Sequence, residues 1–287
     1  MAGEILDGKI ISQQFAEQLR AEVDNSHEKP KLALINVFGD AASEVYLRNK
    51  RRLAEKIGVI SEMYTLDADI CADSLCNVIS SVNNDTSVHG IILQLPIPRH
   101  LGSEDRFLNM ISPEKDVDGL TLINQGRLFC GQHGLRPCTP MGVLHLLKKA
   151  HDSLDGLRVV VLGRSAIVGR PLAMLLIQNN ATVTVLHSRS RDIKDRCAEA
   201  DVVVSAVGQA WFISDDTWIK EGATVIDVGI SRLPDGKIVG DVNFDAVRHK
   251  CAYITPVPGG VGPMTVAYLM HNTIQACHLQ SSYCVTR

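Results

Sequence analysis

No apolar run in this 287-residue chain reaches the length of a membrane span, and its first residues lack the cationic-then-apolar layout of a signal peptide. Neither insertion into a bilayer nor export is therefore expected. Positive charge is not in excess either. Lys and Arg number 29 against 32 Asp and Glu, a net charge of −3, which argues against a surface built to hold nucleic acid. The basic stretch Arg48-Asn-Lys50-Arg-Arg52 is too short to change that. The eight cysteines contain no C-x-x-C pair, Cys71 and Cys76 being the closest two. They read as reduced thiols of a cytoplasmic protein, not as a disulfide framework or a metal site, and no metal is expected. Internal repeats and low-complexity tracts are also missing.

What is present is an α/β rhythm. At this length two domains of ordinary size are expected, and an apolar fraction of 45% is enough to fill their cores. In the second half, short β-branched runs at Arg158–Leu162, Thr182–Leu186, Asp201–Ala206 and Thr224–Val228 alternate with crossovers. Such runs suit strands buried on both faces of a parallel, doubly wound, Rossmann-like sheet. The first half gives strands at Lys31–Val37, Val59–Tyr64 and Gly90–Leu95, with helices around Ile10–Val23, Glu44–Ile57 and Ser74–Val82. A boundary falls near Pro137-Cys-Thr-Pro140, with Thr139 as the cap of a helix through Met141–Lys149. The fold class expected is two α/β domains flanking a cleft. Residues 1–138 form the first and 139–263 the second, and a last helix over 264–287 packs back on the first.

The sharpest local feature is Gly163-Arg-Ser-Ala-Ile-Val-Gly-Arg-Pro171, between an apolar strand and the apolar helix Leu172–Ile177. A strand, a glycine turn and a helix N-terminus together cradle a pyrophosphate, because unpaired N–H groups and the positive end of the helix dipole face it. Five residues separate the two glycines, so this is not G-x-G-x-x-G, and a plain tight turn stays open as an alternative. Where a carboxylate would meet the adenosine ribose, after Thr182–Leu186, the chain reads His187-Ser-Arg-Ser-Arg191, and no acid comes before Asp192. Ser188, Arg189 and Arg164 suit a 2′-phosphate, and hence NADP over NAD.

Other candidates are unspecific one by one. Tyr46 and Lys50 are four apart and share a helix face. Gln94 stands at the C-terminal end of a strand, where open α/β sheets bind ligands, and Asp118 lies in the acidic turn Lys115-Asp-Val-Asp-Gly119. In order along the chain they are distinctive. S-x-x-Y-x-x-x-K stands at Ser43, Tyr46 and Lys50, then Gln94-Leu-Pro-Ile-Pro98, Lys115–Gly119, Pro137-Cys-Thr-Pro140, Gly163–Pro171, and Pro256-Val-Pro-Gly-Gly-Val-Gly-Pro-Met-Thr265. In these motifs the chain resembles the bifunctional methylenetetrahydrofolate dehydrogenase/cyclohydrolase family over nearly its whole length. One departure is visible at Phe38-Gly-Asp-Ala-Ala42, where the family has glycine, acidic or amide residues and proline.

The resemblance implies NADP-dependent oxidation of 5,10-methylenetetrahydrofolate, then hydrolysis of the methenyl product to 10-formyltetrahydrofolate. It implies Lys50 as the proton-moving group, Gln94 orienting Lys50 or the water, Tyr46 packing on the folate, and Asp118 anchoring the pterin. Gly259, Gly260 and Pro263 would approach the folate, while Gly163, Arg164, Ser165, Ser188, Arg189 and the backbone of Ile230 would meet the cofactor. A homodimer is likewise implied. Three other readings remain open on the residues alone: a dehydrogenase of the same fold without hydrolysis, a dehydrogenase of hydroxy or amino acids, and a dinucleotide-sensing module without turnover.

Overall fold

The computed structural model describes residues 3–37 and 41–285, and the side chains at 41–46 and 282–285 stand outside that description. The departure at Phe38–Asp40 therefore lies outside the described residues. The chain opens on β1 (Glu4–Ile5) and α1 (Gly8–Asp24) and then alternates through β2 (Lys31–Val37), α2 (Ala41–Ile57), β3 (Ile60–Leu66), α3 (Ala72–Asn84) and β4 (Gly90–Leu93). After α4 (Glu104–Leu108) and α5 (Leu122–Phe129) comes α6 (Cys138–Ala150). The second half runs β5 (Arg158–Leu162), α7 (Gly169–Gln178), β6 (Thr182–Leu186), α8 (Ile193–Ala198), β7 (Val202–Ser205) and β8 (Ala223–Asp227). A small ribbon of β9 (Ser231–Arg232) and β10 (Ile238–Val239) precedes α9 (Phe244–Val247), β11 (Cys251–Ile254) and α10 (Val261–Val285).

Two compact units result, one of Gln14–Cys138 with Val266–Arg287, the other of Met1–Gln13 with Thr139–Thr265. The first holds a parallel sheet in the order β3-β2-β4. Central β2 is buried along nearly all its length, as its largely apolar run predicts, whereas β3, at the end of the sheet, is only partly covered. Ile35, Val37, Ile91 and Leu93 pack against Leu75, Ile79 and Val82 of α3 and against Phe107, which is fully buried. The second unit holds a sheet in the order β1-β11-β8-β7-β5-β6, parallel throughout.

Three details differ from the sequence reading. Residues 1–13 group with the second unit, not the first, because β1 adds in parallel to β11 and Leu6 N–H bonds Ile254 O at 2.9 Å. A two-residue strand gives no periodic signal, so nothing in the sequence marks it. β6 is buried on both faces only at Leu186, and its other residues are exposed or half-exposed, since it ends the sheet and has one neighbour. Thr139 lies inside α6 and does not cap it; its hydroxyl meets that of Thr265 at 3.0 Å.

The start of α1 is pressed onto the turn before α10. Lys9 N–H bonds Gly259 O at 3.1 Å, and a Cβ on Gly8 would lie 1.7 Å from Gly260 O. Gly8→Ala must displace backbone and is expected to cost about 1–3 kcal/mol, the usual price of overpacking. Gly126, inside α5, faces open space, and Gly126→Ala is expected to gain about 0.5–1 kcal/mol. Urea denaturation midpoints of the two variants check both signs.

Candidate active site

In the unit Gln14–Cys138 with Val266–Arg287, three of the sequence candidates converge. Lys50 projects from α2, and its Nζ donates to Gln94 Oε1 at 2.9 Å. Gln94 is the first residue past β4. Its backbone N–H continues the ladder to Ile35 O at 2.8 Å, while its Nε2 donates to Leu95 O at 2.7 Å. Both ends of the amide are thus used, and Oε1 is held towards the lysine. Tyr46 lies one turn before Lys50 in α2, with its side chain outside the described residues.

Asp118 stands on a turn fixed by its neighbours. Ile91 N–H reaches Lys115 O at 2.7 Å, so the turn joins β4 as a bridge. Buried Asp116 accepts from Leu120 N–H, Thr121 N–H and Asn124 Nδ2 at 3.1, 2.8 and 2.9 Å. Asn272, from α10, donates to Val117 O and Arg136 O, both at 2.8 Å. Gly119 has φ +71°, and a Cβ there would lie 2.5 Å from the Arg136 carbonyl carbon, so the left-handed turn and the close approach both require glycine.

A fourth group joins them. Cys138, buried at the start of α6, donates from Sγ to Val117 O at 3.2 Å and lies near enough to the Asp118 carboxyl to feel its charge. The sequence reading quoted this cysteine within P-C-T-P but gave it no role. Its one signal was position, in a motif with two prolines, and the tertiary fold supplies the neighbours. Burial pushes its thiol well above the usual range, with the Asp118 charge acting the same way, so it is a donor and not a thiolate.

Electrostatics set Lys50 apart from an ordinary surface lysine. Although its residue is half-exposed, desolvation holds its ammonium below the ordinary lysine range, opposed by the charge of Asp118. Burial raises Asp118, opposed by Lys50 and reinforced by Asp116. Each charge is disfavoured by the same dry surroundings and partly rescued by the other. The cluster therefore offers a lysine able to lose its proton, an amide holding it in place, and a carboxyl whose charge acts on the lysine.

The cofactor candidates sit in the other unit, at the C-terminal ends of its strands. Gly163 follows β5 with φ +108°, and a Cβ there would fall 2.3 Å from Ala206 O; one on Gly169 would fall 2.1 Å from Gly163 O. Backbone fills the space that side chains would need, as a phosphate cradle demands. Ser165 Oγ accepts from Val168 N–H and Gly169 N–H at 3.2 and 3.4 Å and so closes the start of α7. After β6, His187 N–H bonds Ser190 Oγ at 2.9 Å, and Ser190 N–H bonds His187 O at 2.7 Å. This tight turn carries Ser188 and Arg189 exposed at its tip, and Arg164 is exposed on its own turn. Ile230, after β8, is 50% exposed, as is Ile167 within the glycine turn, which the sequence reading passed over. Gly259 and Gly260 are buried, Gly259 at φ +112° with the stem of Lys9 over it, and Pro263 lies in the first turn of α10.

The donor atoms of Glu28, His89 and Cys277 also approach within 4.8 Å of one another. His89 Nδ1 accepts from Lys31 N–H at 3.0 Å, so the neutral ring carries its proton on Nε2, which faces Glu28 Oε1 at 3.3 Å. A metal would have to displace that proton, which makes this a histidine–carboxylate contact and a poor ligand set.

A dinucleotide-type sheet in one unit and a desolvated lysine with amide and carboxyl in the other define a two-unit α/β enzyme of the dehydrogenase type. The chain belongs to the tetrahydrofolate dehydrogenase/cyclohydrolase family. The family's catalytic domain matches residues 6–118 and its NAD(P)-binding domain residues 137–281. The chain is 49% identical over 281 residues to the bifunctional protein FolD of Wolbachia sp. subsp. Drosophila simulans (strain wRi), covering 96% of each. Among solved structures it is similar to the FolD methylenetetrahydrofolate dehydrogenase/cyclohydrolase of Campylobacter jejuni, with a TM-score of 0.93, 42% identity, and 97% and 99% of the two chains covered. It also resembles the FolD of Trypanosoma brucei complexed with NADP cofactor and inhibitor, with a TM-score of 0.90, 37% identity, and coverage of 97% and 98%.

The lysine pKa is open to direct measurement. In ¹³C NMR of lysine-labelled protein, the Lys50 signal, assigned by its loss in Lys50→Met, is expected to titrate below the ordinary lysine range. Asp118→Asn removes a charge that favours the ammonium and should move that midpoint lower still. Titration in the ordinary lysine range would contradict the desolvation argument.

Proposed function

We propose that this protein oxidises 5,10-methylenetetrahydrofolate with NADP+ and hydrolyses the resulting 5,10-methenyltetrahydrofolate to 10-formyltetrahydrofolate. The observation that carries the reading is the desolvated Lys50 held on Gln94 beside Asp118. Bound NADP+ supplies the acceptor for the hydride leaving the folate one-carbon unit. No protein base is needed in that step, because the folate nitrogens share the positive charge left behind, so the residues have only to position the two carbons.

Hydrolysis needs proton movement. Water adds to the methenyl carbon and must lose a proton, and the ring C–N bond must break with a proton delivered to nitrogen. Lys50, with its ammonium form disfavoured by burial, can take the first proton and return it, and a cationic substrate would favour its neutral form further. Gln94 Oε1 fixes the direction of Nζ. Asp118 is suited to accept two N–H bonds from the aminopyrimidine edge of the pterin, and Tyr46 to lie along the folate.

For the cofactor, Gly163, Arg164 and Ser165 form the phosphate turn, and Ser188 with Arg189 takes the 2′-phosphate. Ile230 meets the nicotinamide end. Gly259, Gly260 and Pro263 lie against the ligands with backbone and ring. The observations fit: the glycine turn has no room for a Cβ, and the tip after β6 carries a hydroxyl and a guanidinium with no acid before Asp192. We place the enzyme in the cytoplasm as a homodimer. The described cysteines are all free thiols, and β3, at the end of its sheet, offers a strand for pairing with a second copy.

Lys50→Met is expected to abolish methenyl hydrolysis above the spontaneous rate while leaving measurable NADPH formation, followed as separate NADPH, methenyl and 10-formyl time courses. Equal loss of both activities in a folded, folate-binding variant refutes the assignment. Arg164→Gln with Ser188→Ala is expected to raise KM for NADP about tenfold or more, from the loss of charge-assisted phosphate bonds, with KM for NAD changing little. Parallel changes for the two cofactors would remove the case for 2′-phosphate recognition.

A further inference from the structure

Two carboxylates in the unit of Met1–Gln13 and Thr139–Thr265 take no part in the chemistry above. Asp227 ends β8 and Asp241 follows β10, and their exposures are 3% and 0%. Asp227 Oδ1 accepts from Gly229 N–H at 2.9 Å and Asp241 N–H at 3.0 Å, and its Oδ2 accepts from Val242 N–H at 2.9 Å. Asp241 Oδ2 accepts from Val207 N–H at 2.7 Å, Ser205 Oγ at 3.0 Å and Gly208 N–H at 3.3 Å, while its Oδ1 accepts from Gln209 N–H at 2.9 Å. The two residues are thus linked, since the backbone of one donates to the side chain of the other.

Glycine faces each carboxylate. A Cβ on Gly229 would lie 2.0 Å from Asp241 Oδ1, and one on Gly240 would lie 1.9 Å from Asp227 Oδ2. The sequence pairs them crosswise, Asp227-Val-Gly229 with Gly240-Asp241, so that each acid is enclosed by backbone at the other's glycine. Asp227 N–H also donates to Thr255 Oγ1 at 2.8 Å, which ties in the residue that follows β11. Every atom so held belongs to a turn at the C-terminal end of β7 or β8, or to the strand ends beside them.

We infer that Asp227 and Asp241 are positioning residues for the cofactor in hydride transfer. As one hydrogen-bonded frame they fix the turn Val207–Gln209 after β7 and the turn Gly229–Ile230 after β8, and so set where exposed Ile230 meets the nicotinamide end. This rests on the proposed function above, which puts the cofactor at these strand ends. Carboxylates suit the task better than amides. Both oxygens of Asp241 accept, and an asparagine there would turn one of them into an NH₂ group aimed at N–H donors.

The test compares Asp241→Asn and Ser205→Ala with the wild type in three measurements: NADPH affinity by fluorescence titration, oxidation of 5,10-methylenetetrahydrofolate with NADP+, and cofactor-free hydrolysis of added 5,10-methenyltetrahydrofolate. Asp241→Asn should weaken NADPH binding and lower dehydrogenase kcat/KM by about tenfold or more, as for a lost bond to a charged acceptor. Hydrolysis, carried by the other unit, should stay within about twofold. Ser205→Ala removes a single donor and should give a smaller loss confined to the dehydrogenase. It alone decides the matter if Asp241→Asn does not fold. Equal loss of both activities in a folded variant overturns the inference by making the pair merely structural. Unchanged NADPH affinity and dehydrogenase rate in folded variants overturn it as well. Failure of the wild type to bind NADPH would overturn the proposed function and this inference together; binding by the wild type and equally by the variants overturns the inference alone.

Discussion

Irregular backbone at the end of a parallel strand must be buried next to a ligand, yet its N–H groups have no strand to bond. Leaving such a donor unpaired costs about 1–3 kcal/mol, more than one good contact returns. Both units meet this constraint with buried aspartates. In the first, Asp116 gathers Leu120 and Thr121 N–H and so shapes the turn that carries Asp118. In the second, Asp227 and Asp241 gather the N–H groups of the turns after β7 and β8. Asn272 does the converse for carbonyls, bonding Val117 O and Arg136 O on either side of the Asp118 turn. The buried acids are thus divided by their partners. Asp116, Asp227 and Asp241 are filled by backbone N–H, whereas Asp118 faces the side chains of Lys50 and Cys138.

These buried acids are not equivalent electrostatically. Burial drives Asp227 up to about 7, with the charge of Asp241 adding to it and backbone N–H donors from Val242, Asp241 and Gly229 pulling it back. Asp118 is raised by burial and restrained chiefly by Lys50. The one acid is answered by fixed dipoles, which do not move, and the other by a titrating cation. The two carboxyls thus differ in what answers their charge, backbone N–H groups for Asp227 and the Lys50 ammonium for Asp118.

Much of this was legible along the chain. Largely apolar, β-branched runs located β2, β5, β7 and β8 closely, because strands covered on both faces are mostly apolar, and their buried polar residues, Asn36, Ser205, Thr224 and Asp227, are few. The helices α1 and α3 followed from their apolar spacing. β1 and β11 were not foreseen: the first is two residues long and the second is only partly buried, so neither carries a period that stands out. Assigning residues 1–13 to the first domain followed from their position in the chain, and the pairing of β1 with β11 overrode it. Lys50, Gln94 and Asp118 were readable as motif residues, whereas Cys138 and Asp116 were quoted without a role, since a thiol and an acid declare one only through their neighbours.

By itself the sequence determined the residue types a site needs: a lysine, an amide and an acid in three separate motifs, glycines where backbone must close on backbone, and a turn after β6 with no acid before Asp192. The tertiary structure alone decided their charge and direction. Lys50 is an ordinary cation in the chain Arg48–Arg52 and becomes a desolvated one only when α2 packs and Gln94, from another element, takes its Nζ at 2.9 Å. Desolvation depends on what surrounds an atom in three dimensions, and the groups that meet Lys50, Gln94 by a hydrogen bond and Asp118 by its charge, lie 44 and 68 positions away along the chain.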